Sequence, residues 1–85
     1  MSEKKVLIVD DAVFMRSMQK RIISGSGDYE VYEAADGEEA VALYKKIRPG
    51  LVLLDISMPG INGIEALKQM KETDENAFVI MCSAI

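Results

Sequence analysis

Three segments of the chain are short, almost continuously apolar and rich in branched residues: Val6-Leu7-Ile8-Val9, Leu51-Val52-Leu53-Leu54 and Phe78-Val79-Ile80-Met81. They do not alternate with polar positions, so each reads as a strand covered on both faces, the pattern of a parallel sheet. A fourth segment, Tyr29 to Ala34, sets Tyr29 and Val31 against Glu30 and Glu33 less cleanly, as an edge strand would.

Helical patterns separate these strands. After Asp36, the apolar residues Ala40, Leu43, Tyr44 and Ile47 fall at i, i+3, i+4 and i+7 with charges between them. Asp36 followed three residues later by Glu39 predicts an amino-terminal cap pair, and Pro49-Gly50 stops the helix after Arg48. Asn62 and Glu65 repeat the cap logic ahead of Ile64, Leu67 and Met70. A less regular stripe of Phe14, Met18 and Ile22 predicts a first helix that ends near Gly25-Ser26-Gly27. The order β-α-β-α-β-α-β calls for right-handed crossovers and a doubly wound α/β sheet. No internal repeat, linker or low-complexity stretch interrupts it.

Composition narrows the setting. The 85 residues carry 10 basic and 14 acidic side chains, a net charge of −4, no histidine and one cysteine. That suits one small globular unit, which at this size buries only about 60–65 % of its unfolded surface. A lone Cys82 excludes an internal disulfide, and the opening Met1-Ser2-Glu3-Lys4-Lys5 with its short apolar run is too brief for a signal peptide or a membrane span. A reducing cytoplasm is the expected location. Acidic excess without a basic run argues against nucleic acid or an anionic membrane as a direct partner of this segment.

In a doubly wound sheet, ligands bind at the carboxyl ends of the strands, where strand order reverses. The first strand ends in Asp10-Asp11, the third in Asp55 and the last in Cys82-Ser83. Taken singly, Asp10-Asp11 reads as a helix cap with an acidic first turn, Asp55 as a loop acid, Ser83 as a polar strand end and Cys82 as a small buried residue. Taken together, acids on two neighbouring strand ends point to a site. Two carboxylates about 4 Å apart repel by about 4 kcal/mol at an effective dielectric near 20, so either one takes up a proton or a hard cation binds. All-oxygen donors without His or Cys suit Mg²⁺ or Mn²⁺ rather than zinc. The turn Met58-Pro59-Gly60 after Asp55 can aim a backbone carbonyl, such as that of Ser57, at the same metal.

The run Val-Leu-Ile-Val-Asp10-Asp11, then Asp36-Gly37-Glu-Glu-Ala, then Asp55-Ile-Ser-Met-Pro59-Gly-Ile-Asn-Gly63, and a hydrophobic strand ending in Ser83-Ala84 resemble the receiver domain of two-component response regulators. Asp11-Ala-Val-Phe14-Met15-Arg16 further resembles the single-domain chemotaxis regulators of that family. The resemblance implies a flavodoxin-like sheet of strand order 2-1-3-4 and a phosphoacceptor at Asp55. By the same resemblance Asp11 is a direct metal ligand and Asp10 a ligand or an orienter of metal-bound water. The Ser57 carbonyl completes the protein ligands, and the Ser83 hydroxyl moves onto the phosphoryl group. It implies Mg²⁺ or Mn²⁺ as cofactor, a histidine kinase as phosphodonor and a downstream motor or effector as reader, in a module that catalyses only its own phosphoryl transfer and dephosphorylation.

The family carries a lysine at the end of a fifth strand, whereas this sequence stops at Ile85. Residues 1–85 are therefore expected to form a partial receiver without the last strand and last two helices, and Lys45, Lys46, Lys68 and Lys71 are expected to be solvated charges on helix faces. A rival reading makes the chain a structural, self-associating building block without signalling activity, pairing through Phe78 to Met81 as a homodimer or by exchanging elements. An aspartate-nucleophile phosphatase shares the chemistry but needs Asp-x-Asp at the first strand, which Asp10-Asp11-Ala12 does not provide.

Overall fold

The computed structural model describes residues 2–55, 63–74 and 77–82. The elements follow the expected order: β1 (Ser2–Val9), α1 (Val13–Ser26), β2 (Glu30–Ala34), α2 (Gly37–Ile47), β3 (Pro49–Asp55), α3 (Gly63–Thr73) and β4 (Val79–Cys82). All strand pairs are parallel and the sheet order is β2-β1-β3-β4. The chain steps from β1 to β2 in one direction, then reverses and crosses β1 to reach β3 and β4. Right-handed crossovers running in opposite directions place their helices on opposite faces. Thus α2 and α3 share one face, and α1 lies on the other.

The α2/α3 face holds the main core. Leu7, Val9, Ala34, Val52 and Leu54 project from the sheet into Ala40, Val41 and Tyr44 of α2 and Ala66 and Met70 of α3. The α2 stripe matches its periodicity, with Val41 added and Ile47 only half-buried. Its cap is as expected: Asp36 Oδ1 accepts from Glu39 N at 2.8 Å, while Glu39 Oε1 accepts from Ala35 N at 3.2 Å. The helix ends on Arg48 in the left-handed region (φ 47°), and Pro49 already belongs to β3. In α3 the buried stripe is Ala66 and Met70 with Leu67 beside it, and Ile64 is exposed. The cap proposed at Asn62 lies outside the described residues.

Four further expectations change. Strand limits shift because backbone pairing, not apolarity, defines them: β1 begins at Ser2, opposite Pro49 of β3, β2 begins at Glu30, and β4 runs from Val79 to Cys82. The Phe14-Met18-Ile22 stripe does not face the sheet, since Phe14 is 73 % and Ile22 65 % exposed. The less exposed side of α1 is Arg16, Gln19 and Ile23, drawn down by an ion pair with Glu33 of β2. Nor is β4 doubly covered. Val79 packs against the core, but Ile80 is 45 % exposed, because α1 sits over β1 and β2 on that face. Lys71 is also more than a solvated charge, for its Nζ donates to the Ala77 carbonyl at the approach to β4.

Candidate metal and phosphoryl site at the strand ends

The switch in strand order between β1 and β3 brings two acids together. Val9 pairs with Leu54, so the next step along both strands sets Asp10 beside Asp55. Asp10 (8 % exposed) and Asp55 (7 %) are the buried charged residues of the described chain, and Asp11 lies exposed at the rim. One carboxylate oxygen from each of the three lies within 4.8 Å of the others. The three acids read from the sequence are thus in one place, built by the ends of adjacent strands.

The geometry removes the bland alternative for Asp10. The N-cap of α1 is Ala12, with no side-chain cap, so neither aspartate caps the helix. Instead Asp10 Oδ1 accepts from Ala12 N at 2.9 Å, a local turn that points the carboxylate back over the strand ends. The Asp10 backbone is held as well. Its N–H donates to Ala34 O at 3.1 Å and its carbonyl accepts from Arg16 Nη1 at 2.6 Å.

Electrostatics at this rim are unfavourable without a counter-charge. Burial pushes the Asp10 carboxyl above its ordinary range, against the Ala12 amide bond that lowers it. The charges of Asp55 and Asp11 push it further up, and Arg16 pulls down. Each fully ionised pair at about 5 Å repels by roughly 3 kcal/mol at an effective dielectric near 20. A hard divalent cation relieves that repulsion, and a three-carboxylate set open on the Asp11 side fits one that keeps several waters, as Mg²⁺ does. The donor chemistry of the residues present therefore suits Mg²⁺ or Mn²⁺.

Ser57 and Ser83 lie outside the described residues. Cys82 is placed as the last residue of β4, opposite Asp55. Spacing and composition alone give no role to Arg16, which bonds the Asp10 carbonyl, or to Glu33, which pairs with Arg16. A signal was available: an acid that breaks the alternation of a strand, and an arginine in the first turn of the helix that follows the acidic pair.

Comparison with known proteins agrees with this architecture. The response regulator receiver domain family matches residues 6–85. The chemotaxis protein CheY of Thermotoga maritima is 54 % identical over 83 residues, covering 96 % of this chain and 68 % of that protein. Among solved structures, the CheX-CheY-BeF3-Mg²⁺ complex from Borrelia burgdorferi superposes with a TM-score of 0.90 at 44 % identity, over 95 % of this chain and 62 % of the other. The response regulator TrrA from Thermotoga maritima in complex with Mg²⁺-BeF gives 0.91 at 35 % identity, over 96 % and 70 %. The chain thus spans about two thirds of the length of these three proteins.

Proposed function

This chain belongs to the response regulator receiver domain family, of the CheY-like type used in two-component signalling, and from that premise we propose that Asp55 accepts a phosphoryl group from a histidine kinase with Mg²⁺ or Mn²⁺ bound beside it. The observation that carries the reading is the convergence of buried Asp10 and Asp55 with exposed Asp11 at the strand ends.

Each residue has a distinct task. An Asp55 oxygen attacks phosphorus in line, the new O–P bond forms as the P–N bond to the kinase imidazole breaks, and the departing nitrogen takes up a proton. Asp10, Asp11 and Asp55 would hold the metal, which when bound supplies positive charge to the phosphoryl oxygens. The Ser57 carbonyl would complete the ligand set and the Ser83 hydroxyl would meet the new phosphoryl oxygens, both by resemblance. Water attack on the phosphorus then releases inorganic phosphate and restores the Asp55 carboxylate. A phosphoryl group at this rim changes local charge and hydrogen bonding, the kind of event that biases a two-state loop toward a downstream motor or effector. The cytoplasm suits this role, and among the described residues no helix is long and apolar enough to cross a membrane.

Metal titration tests the site. Wild type should bind Mg²⁺, and Asp11→Ala should bind it at least tenfold more weakly; equal binding would remove Asp11 from the site.

A second reading has its own observation. Phe78 just before β4, Ile80 and Met81 in it, and Phe14 and Ile22 on α1 leave large apolar side chains on the surface. That supports self-association of the 85-residue chain, as a homodimer or by exchange of elements, whether or not it signals.

A further inference from the structure

Resting on that metal-site reading, we propose that Arg16, clamped by Glu33, is a positioning residue for the metal site: it fixes Asp10 through its main-chain carbonyl rather than its carboxylate. Arg16 reaches back from the first turn of α1 and divides its fork. Nη1 donates to the Asp10 carbonyl at 2.6 Å, and Nε donates to Glu33 Oε1 at 3.1 Å. The other Glu33 oxygen faces Lys20 Nζ at 3.6 Å, so the carboxylate is held from two successive turns of α1. The Arg16 side chain is 14 % exposed, which shields its ion pair from solvent more than an ordinary surface pair.

The arrangement solves a conflict of charge. A cation beside three carboxylates could stabilise them by binding one, but it would then compete with the metal for the same oxygens. Arg16 spends its donors on a main-chain carbonyl and on an acid outside the cluster. Glu33 offsets its charge as seen from the strand ends. Glu33 directly precedes Ala34, whose carbonyl accepts the Asp10 N–H at 3.1 Å. The clamp therefore fixes the end of β1 to the end of β2, from both sides of the Asp10 peptide. A planar guanidinium can serve two acceptors in fixed directions, which a lysine ammonium does less well. Groups that orient a metal's protein ligands typically change affinity by roughly 10- to 100-fold when removed.

The test separates geometry from charge. Arg16→Met combined with Glu33→Gln removes the clamp and leaves the net charge unchanged. Mg²⁺ affinity is read by nuclear magnetic resonance titration of the Asp10 and Ala12 amides, with thermal melting of the metal-free proteins alongside. Positioning predicts that the double variant binds Mg²⁺ about tenfold more weakly while still melting cooperatively. Affinity of the double variant within twofold of wild type overturns the proposal. Should the double variant not fold, Arg16→Lys decides: it keeps the charge, and a severalfold loss supports the clamp whereas wild-type affinity overturns it. Failure of wild type itself to bind Mg²⁺ removes the metal site and this inference together.

Discussion

Asp10 and Asp55 stand side by side at the ends of neighbouring parallel strands, both buried, with carboxylate oxygens within 4.8 Å. Two like charges are held where solvent screens them least, with a third, Asp11, at the rim. A fold does not gain stability from such a group. A hard divalent cation bound among the three carboxylates would offset that repulsion.

The first prediction concerns pH. The carboxyl of Asp10 is raised from 3.8 by burial and by Asp55 and Asp11, so the metal-free folded state holds this proton more tightly than the unfolded chain. Stability of the metal-free protein should then fall as pH rises from the unfolded value through the raised folded one. Asp10→Asn should stabilise the metal-free protein at pH 7, because it removes the cost of burying the charge and the repulsion from Asp55 and Asp11. The gain should vanish below about pH 4, where both states hold the proton. With Mg²⁺ at a hundredfold its dissociation constant, wild type should recover about 2.7 kcal/mol that the variant does not. Urea unfolding at several pH values, with and without Mg²⁺, measures all three.

Local structure gives a second prediction. Asp36 accepts from Glu39 N at the start of α2, the helix that contributes Ala40, Val41 and Tyr44 to the core. Asp36→Ala should destabilise the protein by about 1 kcal/mol with an unchanged denaturant slope. A change below a few tenths would mean that packing alone sets the start of this helix.

These two sites also mark what the sequence could reveal. Asp36 and Glu39 are three residues apart, and Asp10, Asp11 and Asp55 close their strands, so local spacing and topology sufficed for both. The docking of α1 was not legible, because apolar periodicity singles out Phe14, Met18 and Ile22 whereas the helix settles on Arg16, Gln19 and Ile23. The deciding contact joins Arg16 to Glu33, 17 positions away, and no window of helical length contains it. Likewise Ile64 looked like core, but the small Ala66 is what lets α3 approach the sheet, and hydrophobicity ranks the two the other way.

Self-association supplies a third prediction. Ile80 is exposed while Val79 is packed on the core, so the two neighbours on β4 should respond differently to charge. Ile80→Lys should leave the fold intact and reduce self-association in sedimentation across a concentration series. Val79→Lys should unfold the protein by placing a charge in the core. A wild-type chain that stays monomeric at high concentration would contradict the second reading and leave the phosphoacceptor reading untouched.

Phosphoryl labelling tests the central claim most directly. The chain is incubated with acetyl phosphate and Mg²⁺, and the acid-quenched protein is mapped by mass spectrometry after the acyl phosphate is trapped by reduction. Reduction should convert Asp55 to homoserine, one site per chain, with formation lost on chelation of the metal. Asp55→Asn should abolish the label, and Asp11→Ala should slow its appearance at limiting Mg²⁺ by tenfold or more. A label that forms at the wild-type rate in Asp55→Asn, or that maps to another residue in wild type, would contradict the account.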